Sequence, residues 1–324
     1  SKLLTLNQKK LVKVMDKHIV VGLSGGVDSA VTAWLLKEEG YNFCSTSLSE
    51  GVDFRNYNQT IEYFKKEKPD IVINCATFIG GIKFGMDHRG EIYYNNTLIS
   101  NNLIEASREL KVERFINPIS NCSYPNVGDR KFKEEDWWQG ELDESVMVYG
   151  MCRKMSWVQA YAYHKQYGMN FINLIIPNMY GPGDHFEEVR SHALGALVMK
   201  IVKAKEENLP EVTVWGTGSP VREWLYIDDT VEILLESLEI EPFIEAINIG
   251  VGKGVTIKEL AETIKEQVGY EGNLTFDTEK PDGAPYKAMD ITKSKKIFKN
   301  LPNTELDQGI KQTIEYYYKE VLKK

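Results

Sequence analysis

From residue 18 onward, short apolar runs alternate with longer stretches whose apolar residues recur at helical spacing. The runs fall at 18–23, 42–44, 70–74, 114–119 and 171–176, and helical patterns fill 29–39, 58–67, 92–110 and 147–167. Parallel strands need a crossover long enough to hold a helix, so this alternation predicts a doubly wound α/β fold around a parallel sheet. After residue 178 the pattern loosens into Gly/Pro turns, a helix at 192–206, a short strand at 212–215 and a helix at 229–239. We expect an N-terminal extension over 1–17, a first domain over 18–178, and a smaller α/β lobe over 179–324 from which some strands return to the first domain. A ligand cleft then falls at the carboxyl ends of the strands.

The chain has 324 residues, 42% apolar and 27% charged, which suits one large core and a smaller one. It holds no run of about 18 apolar residues that would span a bilayer, and the first residues lack the apolar block of a signal peptide. A soluble, cytoplasmic protein without a membrane partner is expected. A net charge of −8 argues against nucleic acid, whose binding rests on clustered lysine and arginine. Cys44, Cys75, Cys122 and Cys152 lie far apart without a C-x-x-C pair, so the sequence suggests no metal site and no disulfide framework.

The first strand runs into Leu23-Ser24-Gly25-Gly26-Val27-Asp28-Ser29 ahead of a helical pattern, an arrangement that offers backbone N–H groups and a helix N-terminus to phosphate. Ser24 to Ser29 resemble the pyrophosphate loop of the ATP pyrophosphatases, which leaves an adenylating enzyme as one alternative. A dinucleotide loop of the form T-G-x-x-G-x-x-G would place Leu23, Gly26 and Ser29 at its glycine positions, with Gly22 taking the first by a small shift.

Tyr149-Gly-Met-Cys-Arg153 opens a helical pattern, and a spacing of four puts Tyr149 and Arg153 on one face. Further along stand Ser120-Asn-Cys122-Ser-Tyr-Pro125, Pro177-Asn178-Met-Tyr180-Gly181-Pro182, Ser191-His192, Val214-Trp215-Gly216, Pro220-Val-Arg222-Glu223 with Asp228-Asp229, Asn248-Ile-Gly250 and Lys280-Pro-Asp-Gly-Ala-Pro285. This ordered set resembles the extended short-chain dehydrogenases, NAD-dependent epimerase/dehydratase branch, and within it the GDP-L-fucose synthases. Those enzymes carry Y-x-x-x-K where this chain has Arg153 in the lysine's place.

The resemblance implies a Rossmann-like dinucleotide-binding domain over 18–178, a sugar-nucleotide lobe beyond it, and epimerisation then reduction of a nucleotide-linked 4-keto-6-deoxy sugar, GDP-linked in the family. Tyr149 would protonate the ketone oxygen, Arg153 would stand for the lysine, Ser120 would orient the carbonyl, and Cys122 and His192 would move protons at the flanking carbons. Thiol and imidazole suit that task because their ordinary values lie nearest neutrality, so modest tuning would yield a thiolate base and an imidazolium acid. Gly22, Gly25, Gly26, Ser29, Ser47, Asp53, Ala76, Asn96 and Pro177 would hold the cofactor, NADP by resemblance with NAD possible in principle. Asn178, Lys200, Trp215, Arg222 and Lys287 would hold the substrate, Arg222 because a guanidinium matches phosphate bidentately. Trp137, Trp138 and Tyr124 are candidates either for a cleft wall or for core packing. The family also implies a homodimer through the helices at 92–110 and 147–167, and a binder with impaired turnover remains a third alternative.

Overall fold

A computed structural model describes residues 16–22, 40–187 and 191–323. Strands β1 (Ile19–Gly22), β2 (Phe43–Thr46), β3 (Ile71–Asn74), β4 (Arg114–Ser120), β5 (Phe171–Ile176) and β9 (Phe243–Asn248) form an all-parallel sheet in the order β2-β1-β3-β4-β5-β9. Both faces are covered, and side chains alternate along each strand. Ile19 and Val21 join Ile71, Ile73, Ile172 and Leu174 in one core, while Val20, Val72, Phe115 and Phe171 join a second. Burial on both faces is why these strands read as continuous apolar runs and not as alternating ones. Each fully buried aliphatic side chain contributes about 2 kcal/mol relative to exposure.

Helices α1 (Tyr57–Glu67), α2 (Ile82–Asp87), α3 (Arg89–Glu109) and α4 (Met147–Tyr167) follow the strands. Phe64 of α1, Leu103 and Ile104 of α3 and Ala160 of α4 close the second core. The helix expected at 58–67 begins one residue earlier, with the Asn56 side chain accepting from Gln59 N as its cap. The helix expected at 29–39 and residues 1–15 of the N-terminal extension lie outside the described residues. Among the described residues, no helix is long and apolar enough to cross a membrane.

Pro177 ends β5 because it has no N–H to continue the ladder, and the chain leaves for a second layer. There β6 (Asn178–Tyr180) pairs with β8 (Val221–Tyr226), which also holds β10 (Gly254–Thr256) and β12 (Tyr286–Lys287). A separate pair joins β7 (Glu211–Trp215) to β11 (Asn273–Asp277). Helices α5 (Ala193–Glu206) and α7 (Ile257–Val268) pack through Leu197, Val198 and Ile201 against Leu260 and Ile264. Helix α6 (Ile227–Glu236) turns back, and its Ile233 and Leu234 complete the first core of the large sheet. The carboxyl end of the large sheet thus faces β8, and the space between them is the cleft.

Candidate active site

That cleft is a cavity of about 660 Å³. Its lining includes Ser120, Cys122, Tyr149, Arg153, Pro177, Asn178, His192, Lys200, Trp215, Arg222 and Lys287, so every residue assigned from sequence to catalysis or substrate lies on one cavity.

Ser120 ends β4, and the chain turns at once through Asn121–Ser123, where Cys122 N donates to Ser120 Oγ at 3.1 Å. Ser123 Oγ returns a bond to Ser120 O at 2.6 Å and receives one from Trp137 Nε1 at 2.7 Å, which fixes the turn from behind. Helix α4 starts against this turn. A Cβ at Gly150 would overlap the carbonyl of Cys122, so only glycine lets the helix come this close and brings Tyr149 alongside Cys122. The Tyr149 hydroxyl lies 3.3 Å from Thr77 Oγ1, which itself donates to Asn96 Oδ1 at 2.9 Å.

One helical turn on, Arg153 is 4% exposed, its Nη2 donating to the carbonyl of Pro118. Its Nη1 is buried and has no hydrogen-bond partner among the described residues. Lys154 points elsewhere, its Nζ 4.7 Å from the Trp138 ring centre and 5.6 Å from that of Trp137. Trp137 and Trp138 therefore pack around this lysine, and Tyr124 stacks on Phe132 at 4.7 Å. None of the three belongs to the cavity lining: Trp137 and Tyr124 are buried in the core, and Trp138 is exposed at its edge.

From the second layer, β12 delivers Lys287, 6% exposed, with Nζ 3.4 Å from Cys122 Sγ. His192 sits at the N-cap position of α5, but its ring makes no capping bond and lines the cavity instead. Part of its surface stays open to the cavity, yet it lies deep in the molecule. Burial first, then the charges of His185 and Lys287, hold its pKa below the ordinary value. The free site thus favours a neutral imidazole, where the sequence reading expected an imidazolium.

Arg222 on β8 turns its guanidinium to the cavity, anchored by Nη1 on Val221 O at 2.9 Å and Nη2 on Asp282 O at 3.2 Å, and burial lowers its pKa. Asn178 Nδ2 donates to Glu223 O at 3.3 Å. Lys200 lies 5.4 Å from the Trp215 ring centre, a cation over an aromatic face at the outer rim.

The cofactor residues divide. β1 ends at Gly22, in register with Thr46 and Asn74, at the point where strand order reverses. Counted from this strand end, the sequence reads Gly22-x-x-Gly25-x-x-Asp28, beside the register that begins at Leu23. Gly25, Gly26 and Ser29 lie outside the described residues. Ala76 is buried just after β3. Asn96 is 1% exposed, with its amide bonded to Phe78 N, Phe78 O and Ile92 O. It holds the loop that carries Thr77 and does not line the cavity. At the end of β2, Ser47 Oγ pairs with Ser49 Oγ at 2.8 Å, and Asp53 is clasped by Arg55 through two contacts of 2.8 Å that lower its pKa.

Sequence reasoning missed Thr77, Asn74 and Trp224. Asn74 and Trp224 both line the cavity, and their buried Nδ2 and Nε1 find no partner among the described residues. Strand periodicity held the signal for Trp224, which shares a face with Arg222.

The pattern of the NAD dependent epimerase/dehydratase family matches residues 18–250. GDP-L-fucose synthase 1 of Arabidopsis thaliana is 34% identical over 305 residues, 94% of each chain. In shape the chain is similar to a GDP-6-OMe-4-keto-L-xylo-heptose reductase from C. jejuni, with a TM-score of 0.88 and 26% identity over 94% of this chain and 98% of that one. It is also similar to a GDP-mannoheptose C4 reductase from Campylobacter jejuni with NADP bound, at a TM-score of 0.85 and 28% identity over 94% and 99%. The family match runs through the Ser24–Ser29 loop, and the adenylating alternative finds no support. The chain belongs to the NAD dependent epimerase/dehydratase family.

Proposed function

We propose that this protein is an NADPH-dependent epimerase/reductase of a GDP-linked 4-keto-6-deoxy sugar. The observation that carries the reading is the meeting of Tyr149, Ser120, Cys122, His192 and Lys287 on one cavity, with Arg222 and Lys200 beside them. The residues present fit a dinucleotide: Arg153 and Asn74 line the cavity, and their buried Nη1 and Nδ2 are donors without hydrogen-bond partners among the described residues, which hydroxyl or carbonyl groups of a ligand would satisfy.

When bound, NADPH supplies hydride to the ketone carbon. Tyr149 then gives its proton to the ketone oxygen, which Ser120 Oγ holds in place, and Thr77 keeps the phenol oriented. Arg153 provides a permanent positive charge one turn below the phenol and a donor for the ribose. Before reduction, Cys122 and His192 remove and return protons at the carbons flanking the ketone. A neutral His192 enters as the base, and each group regains its starting state by proton return. Arg222 holds the diphosphate, whose negative charge offsets the cationic field of Lys287 on His192.

In this reading residues 18–178 carry the cofactor and the lobe from 179 onward carries the sugar nucleotide. The working form is a cytoplasmic homodimer. Tyr93 and Tyr94 of α3 and Met147, Met151 and Met155 of α4 are exposed apolar side chains that a second copy would cover.

The test is NADPH oxidation with GDP-4-keto-6-deoxymannose beside the UDP- and dTDP-linked keto sugars, with pyrophosphate release from ATP followed in parallel. Oxidation with the GDP-sugar and its loss in Tyr149→Phe are expected. Pyrophosphate release without NADPH oxidation overturns the reading.

A further inference from the structure

Cysteine spacing along the chain points to no metal, yet the fold gathers His18, Cys44 and Glu67 at the amino end of the sheet, opposite the cavity. Among the described residues these three offer one ligand atom each, all within 4.8 Å of one another and all partly buried. His18 precedes β1, Cys44 lies in β2 opposite Val20, and Glu67 ends α1.

We propose that His18, Cys44 and Glu67 form a structural binding site for Zn²⁺, tying the edge strand β2 and the end of α1 to the start of β1. Cys44 Sγ is 3.5 Å from His18 Nε2, close to the edge of about 3.6 Å that a tetrahedron with Zn–S near 2.3 Å and Zn–N near 2.05 Å requires. Glu67 Oε2 is 3.7 Å from the same nitrogen. The surroundings match what a metal site needs beyond its ligands. His18 Nδ1 is 3.2 Å from Asn42 Oδ1, an acceptor only, so Nδ1 carries the proton and Nε2 presents its lone pair to Cys44 and Glu67. The Tyr63 hydroxyl donates to Cys44 Sγ at 3.3 Å, as an outer partner does to a bound thiolate. Lys66 engages Glu67 Oε1 at 2.8 Å, leaving Oε2 to the site.

On binding, Cys44 releases its S–H proton to solvent and donates a sulfur lone pair, His18 Nε2 and Glu67 Oε2 donate theirs, and water completes four-coordination. Thiolate and carboxylate together balance the dication. Zinc is favoured over Mg²⁺ or Ca²⁺ because sulfur and imidazole are poor ligands for hard cations.

The experiment uses the full chain, stripped with chelator and titrated with Co²⁺. The expected result is about one equivalent bound per chain, with a thiolate-to-cobalt band in the near ultraviolet, intense visible bands of a tetrahedral ion, and displacement by Zn²⁺. Cys44→Ser and His18→Gln abolish the band, while Cys122→Ser and Cys152→Ala keep it. Asn42→Leu leaves all three ligands in place and weakens affinity about 10- to 100-fold, an effect expected of the residue that fixes the histidine tautomer. Zn²⁺ raises the melting temperature of the wild type and leaves the NADPH oxidation rate unchanged. No thiolate band, or a band that survives Cys44→Ser and vanishes with Cys122→Ser, overturns the proposal.

Discussion

Lys287 Nζ lies 3.4 Å from Cys122 Sγ, so the last strand of the second layer places its cation on the thiol that follows β4 of the large sheet. The same ammonium acts on His192, whose pKa is lowered first by burial and then by His185 and Lys287. One cation thus contacts one of the two groups assigned to proton transfer and acts through its charge on the other. Replacing it with methionine keeps the length of the side chain and removes the charge. For Lys287→Met we predict that the His192 pKa rises, since a depressing charge is gone. The acid limb of the kcat/KM profile then moves to higher pH, and KM for the sugar nucleotide rises by roughly tenfold, worth about 1.4 kcal/mol. A pH–rate series on the two proteins checks both.

Arg153 tests whether an arginine does the work of the family's lysine. Arg153 lines the cavity, its Nη2 tied to Pro118 O and its Nη1 buried without a partner among the described residues. Arg153→Met removes the charge and both donors, and we predict a loss of about 100-fold in kcat/KM with weakened NADPH binding by fluorescence. Arg153→Lys restores the motif and should stay within about threefold of wild type, because an ammonium supplies the same charge to Tyr149.

Lys154 offers a stability prediction. It is 2% exposed, and burial lowers its pKa to about 8. Below pH 8 the ammonium is charged in both folded and unfolded chains, and the fold bears its full desolvation. As pH rises from about 8 toward the ordinary value of 10.5, the folded chain releases the proton before the unfolded one, so stability increases through that window. Lys154→Met should stabilise the protein at pH 7 by about 1 to 3 kcal/mol, the cation–π contacts with Trp137 and Trp138 offsetting the rest, and the gain should shrink as pH rises from 8 to 10.5. Thermal melts across pH 7 to 10.5 measure it.

What the sequence could show followed from periodicity. The parallel sheet was legible because strands covered on both faces read as unbroken apolar runs, and Tyr149 and Arg153 could be set on one side because a spacing of four returns a helix to the same face. Side-chain direction inside a motif was harder. Arg222 and Glu223 look equally functional in the chain, but neighbours on a strand face opposite ways. Arg222 reaches the cavity, whereas Glu223 is 0% exposed, with its carboxylate accepting from Gly252 N and Met289 N at 2.7 Å and its pKa raised by burial to about 7. Gly250 belongs to this packing, since a Cβ there would overlap Glu223 Oε1. Asn248 likewise spends its side chain on Tyr124, Phe132 and Asp290. The grouping of His18, Cys44 and Glu67 had no signature at all, because three distant segments meet only through the strand pairing.

The central claim is that thiol and imidazole serve the same sugar ring. It is tested most directly by running the reaction with GDP-4-keto-6-deoxymannose and NADPH in D₂O and locating deuterium in the product by NMR. The account predicts deuterium at the carbons flanking the former ketone, with Cys122→Ser and His192→Asn each reducing its uptake by at least tenfold while still oxidising NADPH. Uptake that is unchanged in both variants would contradict it.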